Sequence, residues 1–119
     1  VTIDEAIREL LAVSTDIRQV AVVDELGVVS GVGPGADPGE LAAALDELWR
    51  AAGDAAARGG DVALEHLVVD LGDAAVVALA AGGRRIVALT APDPVLGLAL
   101  FDLRTCLADA FPPAGEEPA

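Results

Sequence analysis

The chain has 119 residues, of which 54% are hydrophobic and 23% charged, and its twenty acidic residues face only seven basic ones, all arginine, for a formal charge of −13. Such a length matches one domain able to bury roughly two thirds of its unfolded surface, and this much apolar content excludes disorder for want of a core. The charge repels phosphate backbones and anionic headgroups within a Debye length of about 10 Å, which disfavours nucleic acid and membrane surfaces as partners.

Cys106 is the single cysteine, so no intrachain disulfide is possible. No apolar run approaches the ~18 residues of a membrane span and no secretory pattern is present, so a cytoplasmic setting is expected. Trp49, Phe101 and Phe111 are the only aromatic residues, and the core is expected to be aliphatic.

Thr2 with Glu5 forms a capping box ahead of Ile3, Ile7, Leu10 and Leu11 at helical spacing, predicting a first amphipathic helix over residues 2–14. Residues 18–24 are rich in β-branched residues, turn at Glu25, Leu26 and Gly27, and resume over 28–32, which reads as a hairpin. A glycine-dense loop, 33–37, leads to Asp37 as N-cap and Pro38 at the first helical position. The long helix that follows runs to about Arg58, with an expected stripe of Leu41, Ala44, Leu45, Leu48, Ala52 and Ala55. Asp46 with Arg50, and Asp54 with Arg58, are spaced as i,i+4 ion pairs.

Three strand-like runs, 62–70, 75–81 and 85–90, are separated by turns at Gly72 and at Gly82 and Gly83 and read as a meander. Their apolar residues occupy both parities, so helices are expected on both faces of the sheet. Asp93 and Pro94 repeat the cap-plus-proline signal and open a last helix with the stripe Leu96, Ala99, Leu100, Leu103, Leu107 and Ala110, ending before Pro112. Residues 1–111 form one domain, and 112–119, rich in proline and glutamate, are expected to be a disordered tail. The element order is α-β-β-α-β-β-β-α.

Little here points to chemistry. The glycines at 31, 33, 35 and 39 lack the Lys-Ser/Thr pair or strand-to-helix fingerprint of a phosphate loop. His66, the only imidazole, sits beside Glu65 in a predicted strand, where neighbours point to opposite faces and form no relay. Ser14, Ser30 and Cys106 fall in no nucleophile motif, and Cys106 reads as a small buried hydrophobe. No catalytic residue, cofactor or metal is expected.

Trp49 has two readings: a core residue over the sheet, or an anchor between subunits, with the small residues Ala42, Gly53 and Ala56 beside it admitting a second helix. Leu98 and Phe101 fall off the last helix's stripe and either pack on the first helix or meet a partner.

The first hairpin, residues 20–30, and the segment 86–107, with Ile86, Val87, Ala88, Leu89 and Thr90 followed by Pro92, Asp93, Pro94, Val95, Leu96, Gly97 and Leu98, resemble the roadblock family. That family is named for dynein light chains and includes bacterial small-GTPase regulators of the gliding-motility type. The resemblance spans about residues 3–110 and departs from the family in a longer, more acidic link over 33–39.

It implies an α+β, profilin-like fold: a five-stranded antiparallel sheet with the long helix on one face and the two terminal helices on the other. It further implies dimerisation through third strands paired edge to edge and middle helices side by side, which puts Leu64, His66 and Val68 at the interface with Trp49, Ala42, Gly53 and Ala56. Asp46, Arg50, Leu98 and Phe101 are the candidate contacts to a further partner. The implied function is that of a non-enzymatic homodimeric adaptor or regulator of a Ras-like small GTPase. The alternative is a small-ligand-binding sensory domain of profilin-like architecture.

Overall fold

Thr2 starts the fold as its sequence dictates: its backbone is extended and its hydroxyl accepts from the Glu5 N–H at 3.2 Å, capping helix α1, Ile3–Val13. The computed structural model describes residues 2–24, 26–27, 29–32, 38–60 and 64–111. Ser14 ends α1 and its Oγ accepts from the Ile17 N–H at 3.3 Å, turning the chain into strand β1, Ile17–Val23. Asp24 accepts from the Leu26 N–H at 2.9 Å and Gly27 takes a φ of 81°, which closes the turn to β2, Val29–Val32.

Helix α2, Pro38–Arg58, has proline at its first position; its expected cap, Asp37, lies outside the described residues. Strand β3, His66–Asp70, is shorter than the predicted 62–70: residues 61–63 lie outside the described residues, and Leu64 and Glu65 precede the strand. Strands β4, Ala75–Ala81, and β5, Arg84–Thr90, are joined by Gly82 and Gly83, both at positive φ (60° and 80°), as a two-residue hairpin turn requires.

The last helix, α3, is Leu96–Ala110, two residues later than the Asp93–Pro94 signal predicts. Asp93 adopts a left-handed φ of 52° instead of capping, and Val95 at the N-cap makes no side-chain bond. A proline disfavours the helical basin for the residue before it, and aspartate tolerates the left-handed one, so residues 92–95 form a turn.

Among the described residues the strands form one antiparallel sheet of five, in the order β2-β1-β5-β4-β3. Because successive strand residues face opposite sides, the sheet feeds two cores. On one side Val20, Val22, Val77, Leu79, Ile86 and Ala88 pack under α1 and α3 with Ile7, Leu10, Leu103, Cys106 and Leu107. On the other Ala21, Ala78 and Val87 pack under Leu45 of α2, with Leu41, Trp49, Leu67 and Val76 at the margin. The terminal helices and the middle helix thus lie on opposite faces, as the resemblance implies.

The inward face of α2 is rotated from the expected stripe. Ala42 and Leu45 are buried, whereas Ala44, Leu48 and Ala55 are exposed. The charged residues of the helix gather on the opposite face, so hydropathy selects the side that meets the sheet, while alanines on either border leave its exact rotation to the packing. Asp46 also departs from expectation: its carboxylate lies 2.7 Å from the Arg85 guanidinium of β5, tying α2 to the sheet, and not on Arg50.

Candidate functional site

The free edge of the sheet is where the architecture is incomplete. Among the described residues, β3 has β4 on one side and no strand on the other. In the β3–β4 ladder the Glu65 carbonyl accepts from the Ala80 N–H at 3.0 Å and the Leu71 N–H donates to the Ala74 carbonyl at 2.9 Å. Backbone groups alternate sides along a strand, so residues 65, 67, 69 and 71 point at β4 while His66, Val68 and Asp70 present their N–H and C=O groups outward. Such a row is a template for another strand.

The side chains beside this edge are unevenly covered. The β3 side chains alternate exposed and half-buried, with His66, Val68 (38% exposed) and Asp70 on the α1/α3 face and Leu67 and Val69 on the α2 face. Helix α3 lies chiefly over β4 and β5, and α2 chiefly over β1, β2 and β5, so among the described residues β3 is the strand the helices cover least, with only Leu67 reaching the margin of the α2 cluster. Leu71 is exposed just beyond the strand.

On α2, Trp49 is half-buried against the Ala21, Leu45, Ala78 and Val87 cluster of its own chain, combining its two readings: one part lies on the sheet and the rest is open. Gly53 and Ala56 are half-buried on the same flank, and a Cβ built on Gly53 meets nothing within 4 Å. Ala42 is corrected: at 4% exposed it is enclosed by its own subunit and offers nothing to a second one. Leu48, expected in the core stripe of α2, is exposed and adds apolar surface to the helix.

The four candidate partner contacts do not come together. Asp46 and Arg50 belong to α2, and Leu98 and Phe101 to α3 across the sheet. Leu98 and Phe101 are 55% and 64% exposed, so the expectation that they pack on α1 is overturned. The flank of α3 that meets α1 carries Asp102, Thr105, Cys106 and Asp109 instead.

The cleft between α1 and α3 has a volume of about 90 Å³, below the roughly 300–1,000 Å³ of small-molecule sites. A wider, open depression of about 360 Å³ is lined by Asp24, Leu26, Arg84 and Phe111, where the Arg84 guanidinium stacks 4.1 Å from the Phe111 ring centre. Among the described residues no three His, Cys, Asp or Glu side chains stand together as metal ligands, and no helix is long and apolar enough to cross a membrane.

Cys106 is buried at the base of the α1/α3 cleft, and desolvation, with the neighbouring Asp109 carboxylate, pushes its thiol from 9.0 up to about 11. The folded state therefore keeps the thiol proton to higher pH than the unfolded state. Stability from this group is intact below about pH 9 and is lost as pH rises from 9 towards 11. Urea titrations across that range should show the fall in the native chain and its absence in Cys106→Ala.

No family model matches the sequence, and no curated protein matches it. Solved structures do match the fold. A Roadblock/LC7 domain from Streptomyces avermitilis superposes with a TM-score of 0.78 at 16% identity, covering 92% of this chain and 94% of that one. Myxococcus xanthus MglB gives 0.73 at 18% identity, over 87% and 80% of the two chains. Another Streptomyces Roadblock/LC7 domain structure gives 0.69 at 18%, over 92% and 98%. With TM-scores of 0.69 to 0.78 and overlap of 80% or more in both directions, this chain has the Roadblock/LC7 fold.

Proposed function

We propose that the protein is a non-enzymatic homodimeric adaptor that regulates a Ras-like small GTPase in the cytoplasm. The observation that carries this reading is the bare β3 edge: His66, Val68 and Asp70 hold their backbone groups outward on the strand at the margin of the helix layers. A second copy satisfies these groups by pairing its own β3. The flank of α2 holding Trp49, Gly53 and Ala56, with the exposed Leu48, then meets its counterpart beside the joined strands, and Leu64 lies at the rim. Likeness in fold to MglB, with the sequence resemblance to bacterial regulators of the gliding-motility type, supports a GTPase as the regulated partner.

On this reading Asp46 and Arg50, exposed or half-exposed on α2, are the residues nearest a partner that docks on the helix layer of the dimer. Pairing with Arg85 fixes Asp46 to the sheet and leaves Arg50 outward. An arginine supplied by a regulator stabilises phosphoryl-transfer charge in some systems.

Gly53 gives the interface a separate test. Alanine at this mid-helix position finds open space within the chain and raises monomer stability by about 1 kcal/mol through helix propensity. Where two α2 helices approach over Gly53, the added methyl groups weaken the dimer. Gly53→Ala is therefore expected to raise the urea midpoint of the dissociated chain while lowering its association constant. The functional reading itself is tested by affinity measurements against the partner GTPase loaded with GTP or GDP. A regulator that reads the switch binds the two states unequally, and equal affinity, or none, contradicts it.

A further inference from the structure

The α1/α3 layer carries a surface that neither the dimer edge nor the α2 face uses. Its cleft has an apolar floor in Ala6, Leu10 and Cys106 and a rim of Glu9, Asp102 and Asp109, with no arginine lining it. Thr105 donates its hydroxyl to the Phe101 carbonyl at 2.9 Å, so it too offers an incoming group an acceptor. Every polar side chain of this rim therefore asks for a donor.

Apolar side chains continue the cleft in both directions. Val13, at the cleft's end on α1, is 68% exposed. Along α3, Leu98 lies one turn before Asp102 and Phe101 one turn before Thr105, so the exposed leucine and phenylalanine adjoin the acidic rim. A phenylalanine this exposed, beside a second large apolar side chain, is the kind of surface found at protein-binding sites.

Charge and size together decide the occupant. A volume of about 90 Å³ takes one aliphatic side chain and not a drug-sized ligand. A second copy of a chain with net charge −13 meets three carboxylates with repulsion, and phosphate or anionic lipid fares no better. We propose that this cleft docks an amphipathic basic helix of a partner protein, seating one leucine-type side chain between α1 and α3 while flanking arginine or lysine residues pair with Glu9, Asp102 and Asp109.

Helix-in-groove recognition of this kind reads an apolar face through anchors at helical spacing. The surface is independent of the dimer and GTPase readings, because α1 and α3 lie over β1, β2, β4 and β5 and leave the β3 edge free.

The probe is a dye-labelled model helix with leucine on one face and arginine on both flanks, titrated by fluorescence anisotropy against the full chain. Glu9→Gln/Asp102→Asn/Asp109→Asn should weaken binding by about tenfold or more, and Phe101→Ala severalfold, with affinity falling steeply as salt rises. The control Glu47→Gln/Asp54→Asn/Asp73→Asn removes the same three charges elsewhere and should bind as the parent does. Phe101→Ala changes no charge and no core residue, so it reads the site even where the triple variant is poorly folded. Equal losses in the two triple variants, equal binding of a scrambled peptide, unchanged binding by Phe101→Ala, or no binding of the probe each overturn the proposal.

Discussion

Leu103→Ala is expected to destabilise the chain by about 3 kcal/mol and lower its thermal midpoint by roughly 10–15 °C. Leu103 is fully buried where α3 meets the sheet, and its cluster includes Ile7, Leu10, Val77, Leu79 and Ile86. Truncation removes the transfer energy of three carbons and leaves a cavity that the β-branched neighbours on the sheet fill poorly, since their rotamers are stiff. Phe101, two residues earlier on the same helix, points away from that cluster and is 64% exposed. Phe101→Ala should stay within about 0.5 kcal/mol. Comparable losses for the two variants, measured at one protein concentration, would mean that α3 is rotated relative to the described fold.

Val68→Pro is expected to dissociate the proposed dimer while leaving the monomer folded. The Val68 N–H points away from β4, so a proline there removes no bond of the β3–β4 ladder, and edge strands accept proline at such positions. What it removes is a donor to the incoming strand, and its ring obstructs the close approach of a second backbone. Val69→Pro is the counterpart: residue 69 pairs with Val76 and its N–H faces β4, so proline there breaks the ladder itself at a cost of about 3 kcal/mol. Circular dichroism and sedimentation should therefore give a folded monomer for the first variant and a destabilised chain for the second. A Val68→Pro chain that remains a dimer places the interface elsewhere.

The parts of this architecture legible in the sequence are those written in local chemistry. Thr2 marks the start of α1, and Gly72, Gly82 and Gly83 mark turns that need positive φ. Mixed parity in β4 and β5 announces two covered faces, which the two clusters supply. The parts missed are those set by tertiary contact.

Asp93 and Pro94 carry a cap signal that the backbone of the turn overrides. Asp46 has an arginine at i+4, yet a strand brings Arg85 within 2.7 Å. Ala42 and Leu48 exchange roles because they lie on opposite borders of the apolar face of α2, and the position of the sheet sets which border is turned inward. Leu98 and Phe101 show the same limit from the other direction, since hydropathy tells that a side chain is apolar and not what covers it. The β3 edge was legible only through the family resemblance; its outward-facing residues, 66, 68 and 70, follow from two hydrogen bonds that no sequence pattern records.

The proposed pairing of two chains through β3 is tested most directly by the mass in light scattering across a dilution series. A dimer joined through β3 gives twice the 11.9 kDa chain mass at micromolar concentration, with dissociation on dilution and a single 11.9 kDa species for Val68→Pro throughout. A wild-type chain that scatters as 11.9 kDa at tens of micromolar contradicts it.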